Sequence, residues 1–302
     1  MLSQAAPRER YLGYSDYQII TDTAFRADRY FETMAAHGVN FQRIWVTGYS
    51  DIAVKFEELM PFVKRRGKYR LARINPAYMK RLVTVMEQAQ SHDQQVMLTL
   101  FDHWSLARGF AKTPWYYKNN HERLLKNAFA DFYNVQDRKL MKIQQNLVTE
   151  IVRATKGFDP IYEIMNEAAG TKCGPLAAWH EQVASWILEE SPEARIAVNV
   201  NDECPEILNA GWVNIISFHH RTWQRDGICK AIQKHPDKHV IIDTDGAWEV
   251  RDDNRLVKDW FAESRSCGAS FNHKDDIYRP DRELLEHYRE IVKKVEKKPA
   301  LK

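Results

Sequence analysis

Residues 161–167 read Ile-Tyr-Glu-Ile-Met-Asn-Glu, an apolar run that ends on an Asn-Glu pair. The pattern is typical of a buried strand, which would place Glu167 at the rim of a sheet, where loops gather and ligands bind. A carboxyl group at the mouth of an apolar strand is partly desolvated, so its pKa rises towards neutrality, as a general acid requires. Glu167 is therefore a candidate proton donor; the alternative is that it caps the following helix.

Polar and aromatic side chains also follow the other apolar runs of the chain. In chain order they are Arg43, Trp45 and Tyr49; Asp102, His103 and Trp104; Asn166 and Glu167; Asn199, Asn201 and Asp202; His219, His220 and Trp223; Asp243, Asp245 and Trp248; and Asn272 and His273. Such a rim suits a sugar, because rings stack on its apolar face while polar groups bind its hydroxyls.

Five tryptophans are expected on or near this rim, although any one of them could instead pack a loop against the protein. They are Trp45, Trp104, Trp115, Trp223 and Trp248. The sequence favours Trp104, Trp223 and Trp248 as stacking surfaces for a sugar ring.

The elements that would position these residues are short β-like runs alternating with longer amphipathic stretches. The predicted strands are Arg10–Tyr14, Phe41–Val46, Val96–Phe101, Ile161–Met165, Arg195–Asn199, Asn214–Phe218, His239–Asp243 and Gly268–Phe271. The predicted helices are Thr23–His37, Pro76–His92, Glu122–Thr155, Leu176–Glu190, a short Pro205–Ala210, Trp223–Lys234, Asn254–Ser266 and Asp281–Val295.

Eight strand–helix units in 302 residues predict an α/β protein with a single (β/α)8 TIM barrel over residues 1–302. The main competitor is a doubly wound open sheet, which usually carries a glycine-rich phosphate turn after an early strand. The early turns, around Gly13 and Gly48, lack that pattern. The active site of a barrel lies at the carboxyl ends of its strands, where the polar rim is expected.

Composition excludes several classes of protein. The net charge of +3 is small, and short basic patches such as 64–66 resemble solvated faces more than a nucleic-acid footprint. No apolar run is long enough to cross a membrane. The N-terminus lacks an apolar core of signal-peptide length, which predicts a cytoplasmic protein, or a secreted one if a signal peptide has been removed.

The four cysteines lie far apart and form no Cys-x-x-Cys pair; they are Cys173, Cys204, Cys229 and Cys267. This spacing predicts neither a structural zinc site nor a disulfide framework, since large domains rarely need one. No metal and no cofactor is expected, and the oligomeric state is left open.

Four motifs in order resemble the large retaining clan of (β/α)8 glycoside hydrolases, clan A, in particular the cellulase-like family 5. They are Gly38-Val39-Asn40-Phe41-Gln42-Arg43-Ile44, Tyr162-Glu163-Ile164-Met165-Asn166-Glu167, Phe218-His219-His220 and Val240-Ile241-Ile242-Asp243-Thr244-Asp245-Gly246. The resemblance covers roughly residues 10–275. It implies cleavage of a β-linked oligo- or polysaccharide.

The resemblance also implies roles for single residues. Glu167 matches the acid/base and Asn166 the residue that binds the sugar 2-hydroxyl. Arg43 matches an arginine beneath the nucleophile, and His219 a histidine that contacts substrate. His103 at the third strand is a further candidate for substrate binding.

The seventh strand departs from the family. Its nucleophilic glutamate usually stands two positions before a glycine, where this chain has Thr244, flanked by Asp243 and Asp245. Residues two apart on a strand face the same way, so either aspartate could be the nucleophile or base. Retaining enzymes need carboxyl groups about 5–5.5 Å apart and inverting ones roughly 6.5–9.5 Å, and the shorter aspartate leaves both outcomes open.

Two other functions compete with a glycosidase. A barrel without the family's glutamate could be a catalytically impaired carbohydrate-binding protein. A metal-dependent hydrolase could also gather histidines and aspartates, namely His103, His219, His220, Asp243 and Asp245, but it would commonly begin with a His-x-His on its first strand. Neither a Gly-x-Ser-x-Gly elbow nor a dinucleotide fingerprint occurs.

Overall fold

A computed structural model of the chain describes residues 10–46, 59–126, 129–169, 172–199, 204–219, 228–245, 261–262, 264, 266–275, 285–286 and 289–290. Its strands are β1 (Leu12–Asp16), β2 (Phe41–Trp45), β3 (Phe62–Arg65), β4 (Lys68–Ile74), β5 (Gln95–Asp102), β6 (Ile161–Asn166), β7 (Arg195–Val198), β8 (Ile215–His219), β9 (His239–Asp245) and β10 (Ser270–Asp275). Its α-helices are α1 (Ala27–Ala36), α2 (Pro76–Ser91), α3 (His103–Gly109), α4 (Arg138–Thr155), α5 (Cys173–Glu190), α6 (Pro205–Leu208) and α7 (Ile228–Lys234).

Eight parallel strands close into a barrel in the order β1, β10, β9, β8, β7, β6, β5, β2. The predicted (β/α)8 fold is therefore confirmed, and each of its eight predicted strands is present with bounds shifted by a few residues. The strands read as apolar runs because a barrel strand is covered on both faces, by the barrel interior and by the helices. β5, for example, is buried from Val96 to Asp102.

The predicted helix Glu122–Thr155 is wrong in its first half. The α-helix α4 starts at Arg138, where the Asp137 carboxylate accepts hydrogen bonds from the backbone of Lys139 and Leu140 and caps the helix. Upstream, Arg123 and Leu125 adopt positive φ angles of 57° and 54°, which an α-helix cannot contain. A short 3-10 helix, Phe129–Tyr133, precedes the cap.

The other predicted helices are present where the structure describes them, although α1 begins at Ala27 rather than at the predicted Thr23. Asn75 caps α2 and Pro76 is its first residue, a combination that starts a helix with little loss of hydrogen bonding. The predicted helices Asn254–Ser266 and Asp281–Val295 lie mostly outside the described residues. No helix among the described residues is long and apolar enough to cross a bilayer.

Three of the strands and α-helices were not predicted. β3 and β4 form an antiparallel hairpin between β2 and α2, and α3 begins directly after β5. The hairpin was missed because its apolar residues are few and its surface is basic, so the run 64–66 was interpreted only as a solvated face.

The barrel interior changes from apolar to polar along the strands. The layer near the amino ends consists of Tyr11, Phe41, Met97, Ile161, Ala197, Ile215 and Ile241. Two residues further along each strand, and hence on the same face, stand Gly13, Arg43, Thr99, Glu163, Asn199, Ser217 and Asp243, joined by Asn272 of β10. Gly13 is required here, since a Cβ atom at this position would lie 2.2 Å from the Asn272 side-chain oxygen.

The cysteines correct the sequence interpretation. Cys173 is bonded to Cys204 and Cys229 to Cys267, so all four are paired and the expectation of no disulfide framework was wrong. The pairs are 31 and 38 residues apart in sequence. Distant spacing concealed the pair Cys173–Cys204, because successive βα connections of a barrel lie side by side although a helix and a strand separate them along the chain.

Candidate active site

Arg43 is the centre of a buried ionic cluster in the polar layer. Its Nε and Nη2 atoms donate to the same Glu163 oxygen at 2.9 and 2.6 Å, and its Nη1 atom donates to Asp243. All three side chains are fully buried. A third donor, the Thr99 hydroxyl, reaches the shared Glu163 oxygen at 2.6 Å. The cluster ties β2, β5, β6 and β9 together at mid-height in the barrel.

Burial and charge act in opposite directions on this cluster. Burial by itself lowers the pKa of Arg43, but the facing charges of Asp243 and Glu163 outweigh it, so the net shift is upwards and the guanidinium stays charged. Burial raises the pKa of Glu163, and the contacts with Arg43 and Thr99 only partly oppose this. A buried cation beside two carboxylates needs such pairing to be tolerated at all.

Asn166 connects the cluster to the rim. Its Oδ1 atom accepts a hydrogen bond of 2.7 Å from Arg43 Nη2, and its Nδ2 atom donates to Asp102 Oδ1 at 2.8 Å. The other oxygen of Asp102 caps α3 by accepting from the backbone and the hydroxyl of Ser105. The Asn166 amide is thereby fixed in orientation, and its second N–H group has no partner among the residues that the structure describes.

Glu167, the next residue, takes an unusual backbone conformation. Its φ angle is +50°, in the left-handed region that costs a non-glycine residue about 1–2 kcal/mol. Asn199, at the end of β7, holds this turn: its Oδ1 atom accepts from the Glu167 N–H at 3.2 Å, and its carbonyl oxygen accepts from the Ala168 N–H at 2.9 Å. Left-handed residues of this kind concentrate at functional sites. The half-buried Glu167 thus stands at the rim, as the sequence predicts.

His103 lies close enough to Glu167 for their charges to interact. Burial lowers the pKa of the imidazole, and the Glu167 carboxylate opposes this only in part, so the ring is neutral near pH 7. Its Nδ1 atom is 2.6 Å from the Tyr133 hydroxyl. Because burial raises the pKa of Tyr133, that hydroxyl keeps its proton and can donate it to Nδ1.

The structure describes the two aspartates of β9, Asp243 and Asp245, to different extents. Asp243 is fully buried, and each of its carboxylate oxygens accepts a hydrogen bond, one from Arg43 and the other from Asn272. Asp245 is the last residue of β9, but its side chain lies outside the described residues. The backbone of Asp245 follows that of Asp243 by two residues and lies nearer the carboxyl end of the strand.

Two of the five tryptophans are structural. Trp115 is buried and packs edge-on against Phe62 and Phe132, which corrects the expectation that it lines the rim. Trp45 is also buried, with its ring 4.6 Å from the Arg43 guanidinium, and it therefore covers the ionic cluster. Both are therefore packed inside the protein rather than exposed at the rim.

Trp104 keeps the expected exposure. It is the first large hydrophobic side chain after the end of β5, with 38% of its surface accessible and the Arg108 guanidinium 4.9 Å from its ring. Trp223 and Trp248 lie outside the described residues, as do Tyr49, Asn201, Asp202 and His220. The backbone of His219 pairs with Asp243 at the end of β8, but its side chain is not described.

Sequence reasoning missed the roles of Glu163, Thr99 and Asn199 in the site. A signal for Glu163 existed, since it is the one charged residue inside the apolar run 161–165. A charge in a buried strand demands a partner, and Arg43 interrupts the β2 run in the same way. Asn199 was noted only as a residue at a strand end.

One group of three potential metal ligands occurs within the described part of the chain, formed by Cys173, Cys204 and Glu206. The two sulfur atoms are bonded to each other, so neither offers a free thiolate.

Comparison with known proteins finds relatives by structure only. Neither models of known protein families nor curated protein sequences match the chain. An endo-1,4-beta-D-mannanase from Thermotoga petrophila superposes with a TM-score of 0.67 at 14% identity, over 94% of this chain and 99% of that one. For a glycoside hydrolase family 5 mannosidase from Rhizomucor miehei the TM-score is 0.60 at 12% identity, with 95% and 94% covered.

An endo-glycoceramidase II from Rhodococcus sp. is similar as well, with a TM-score of 0.63 at 12% identity over 93% of this chain and 79% of that one. Identities this low establish a shared fold. The protein is therefore similar in its closed (β/α)8 barrel to these glycoside hydrolases, and this is the fold that its alternating strands and helices predicted.

Proposed function

We propose that the protein is a glycoside hydrolase that cleaves β-linked oligo- or polysaccharides, with Glu167 as the acid/base. The observation that carries the proposal is the position of Glu167. It follows β6 directly, in a left-handed turn that Asn199 holds. The residue before it, Asn166, has its amide fixed by Arg43 and Asp102. A fixed proton donor at a barrel rim is what cleavage of a glycosidic bond requires.

The neighbouring groups fit a sugar ring. Asn166 keeps one N–H for a hydroxyl group of the substrate, the role that the family resemblance implies. His103 is neutral, and with Nδ1 accepting from Tyr133 its remaining ring N–H can donate to a second hydroxyl. Trp104 presents an exposed face for stacking. These groups converge on the barrel end at which Glu167 stands.

The second catalytic carboxylate is assigned to Asp245. Asp243 has both oxygens engaged and is sealed from solvent, so it supports Arg43 rather than attacking a substrate. Asp245 stands one pleat nearer the rim on the same face. In this proposal it acts as nucleophile or base, and the distance it keeps from Glu167 decides between retention and inversion.

The two disulfides favour an oxidising compartment, where such bonds form and persist. We therefore prefer a secreted or otherwise exported location over the cytoplasmic one expected from the N-terminal residues. Counting free thiols after rapid alkylation of the natural protein tests this, since a cytoplasmic pool would show reduced cysteines.

The function is tested by comparing the wild type with Glu167→Gln on aryl β-glycosides and on plant polysaccharides. We expect the variant to lose activity by orders of magnitude on substrates with poor leaving groups, with an unchanged melting temperature. Glu181→Gln, an exposed change on α5, is the matched control and should be fully active. Equal activity in both variants would refute the role of Glu167.

Sugar binding without turnover in the wild type would instead identify a carbohydrate-binding barrel. The observation that keeps this second candidate open is Thr244, which occupies the position of the family's nucleophile.

A further inference from the structure

The hairpin of residues 62–74, here called the cationic hairpin, belongs to the same end of the barrel as Glu167. It lies between the end of β2 and the start of α2, and strand-to-helix connections run across the carboxyl ends of barrel strands. The next such connection anchors it. The backbone of Tyr69 pairs with Asn119 at 2.7 Å and with His121 at 2.9 Å, and the Glu122 carboxylate accepts from the backbone of Leu71. The hairpin is thus a fixed part of the active-site face.

The charge of the hairpin is extreme. Six of its residues are basic and none is acidic: Lys64, Arg65, Arg66, Lys68, Arg70 and Arg73. The whole chain carries a net charge of +3, so everything outside the hairpin sums to a net negative charge. Within the described residues, no carboxylate forms an ion pair with any of the six. The hairpin therefore places a dense local excess of positive charge beside the site.

Some of these basic residues occupy positions at which they destabilise the hairpin. Arg66 and Gly67 have φ angles of +48° and +75°, the pattern of a type I′ turn, whose first position favours asparagine, aspartate or glycine. Arg65 stands directly opposite Lys68, and like charges in that position destabilise a hairpin. Rules broken locally without any gain in folding point to a function.

We propose that the cationic hairpin binds the anionic groups, carboxylate or sulfate, of an acidic polysaccharide and holds that polymer across the barrel mouth. The proposal rests on the proposed glycosidase function and specifies its substrate class. A polymer fits the position of the hairpin, because a chain threaded through the site must pass over the surrounding loops. Steering by a concentrated charge also raises the rate of encounter with an oppositely charged substrate.

Two features fit a glycan, and the first of them argues against a membrane. The exposed residues of the hairpin include no large apolar side chain that could enter a bilayer, since Phe62 and Leu71 are buried. Its one accessible ring, Tyr69, has Lys64 5.3 Å from its centroid. Trp104 repeats that pairing of a ring with a cation through Arg108, and rings beside cations suit charged sugar units.

The test measures binding by calorimetry in the Glu167→Gln background, where the polymer is not cleaved. The probes are polygalacturonate, dextran sulfate and a neutral galactomannan. The hairpin variant combines Arg65→Thr, Arg66→Asn and Lys68→Thr, which suit strand and turn positions and should leave the melting temperature equal or higher. We expect its affinity for the acidic polymers to fall roughly tenfold, and the salt dependence of binding to flatten.

The matched control replaces three exposed cations on the outer helices, Arg29→Gln, Lys80→Gln and Lys142→Gln, and removes the same charge. Its affinity for the acidic polymers should equal that of the parent. The two acidic polymers distinguish carboxylate from sulfate. Equal binding by the hairpin variant and the parent would overturn the proposal, as would binding of neither acidic polymer more tightly than galactomannan.

Tighter binding to phosphatidylserine vesicles or to single-stranded DNA would overturn it too, in favour of a membrane or a nucleic acid. The proposed function fails separately, by inactivity of the wild type on aryl glycosides and on both the neutral and the acidic polysaccharides. If the protein bound the acidic polymers but hydrolysed none of the substrates, the proposed binding surface would be supported and the proposed glycosidase function would be refuted.

Discussion

The side chain of Asn199 accepts a hydrogen bond of 3.2 Å from the backbone N–H of Glu167. The backbone carbonyl oxygen of Asn199 accepts a hydrogen bond of 2.9 Å from the N–H of Ala168, the residue after Glu167. The Nδ2 atom of Asn199 faces the Ser217 hydroxyl at 3.5 Å. Two consecutive amide groups of the β6 exit are thus tied to the end of β7. Because Glu167 has φ +50°, this contact stabilises a conformation that the residue would otherwise avoid.

Asn199→Ala should therefore lower kcat about ten- to a hundredfold, since a displaced proton donor loses its alignment with the leaving oxygen, while KM changes little. Asn199→Asp keeps the acceptor and should recover much of the activity. Its added negative charge near Glu167 should also move the basic limb of the pH–rate profile to higher pH. Initial rates over a range of substrate concentrations and pH give all three quantities.

The matched control is Asn214→Ala. Asn214 Oδ1 accepts from the Ile196 N–H at 2.8 Å, the same kind of bond at the other end of β7. This variant should lose stability but keep its kcat. A positioning role for Asn199 is wrong if the two alanine variants show equal losses of kcat, or if Asn199→Asp behaves like Asn199→Ala.

The two aspartates of β9 should have different roles. Replacing Asp243 should lower the stability of the protein, whereas replacing Asp245 should abolish its activity. Asp243→Asn removes a charge that faces buried Arg43, and breaking a buried pair costs about 3–5 kcal/mol of unfolding free energy. Asp245→Asn should leave the unfolding free energy nearly unchanged and abolish turnover. Urea denaturation and hydrolysis assays on both variants test this, and the reverse pattern would assign catalysis to Asp243. The anomer of the first product then shows whether Asp245 is nucleophile or base.

The sequence predicted the barrel well because its signal is repeated. Eight apolar runs are each followed by polar residues, so the predicted fold does not depend on any single run being assigned correctly. The helix expected from Glu122 failed because its periodicity continued through residues that adopt positive φ, and only the capping contact of Asp137 marks the true start.

The site was predicted only in part, since Glu163, Thr99 and Asp243 meet Arg43 through the register of separate strands. That register depends on how the barrel closes, and no single sequence motif predicts it. Glu167 could be found because it directly follows Asn166 at the end of one apolar strand. Asn199 could not, because its role depends on a backbone conformation 32 residues away.

The disulfide between Cys173 and Cys204 should stabilise the loops on either side of the site. It closes a segment 31 residues long, for which the chain-entropy model gives about 3–4 kcal/mol. Cys173 starts α5, shortly after the turn at Glu167, and Cys204 precedes α6. Replacing both with serine should lower the melting temperature and reduce kcat, because the Glu167 turn loses one of its restraints.

The pair Cys229 and Cys267 is the control, since it closes a segment of similar length, 38 residues, away from that turn. Its double serine variant should lose comparable stability and keep kcat. Thermal melts with and without reductant, together with initial rates, distinguish the two. Equal effects on kcat would mean that the first disulfide has no special relation to Glu167.

Stability in acid should depend on His180, which is buried in α5 and donates to the Leu176 carbonyl. Burial lowers its pKa from 6.5 to about 4, so folding favours the neutral ring. The stability that this contributes is complete above pH 6.5 and is lost as the pH falls through about 4. Integrated over that range, the loss is about 3 kcal/mol.

His180→Leu has no such proton to take up. Between pH 7 and pH 4 the unfolding free energy of the wild type should therefore fall by about 3 kcal/mol more than that of the variant. His92→Gln, which removes a half-buried histidine at the end of α2, should follow the wild type. Chemical denaturation at several pH values measures the difference. Parallel curves for wild type and His180→Leu would show that the buried ring is not what limits stability in acid.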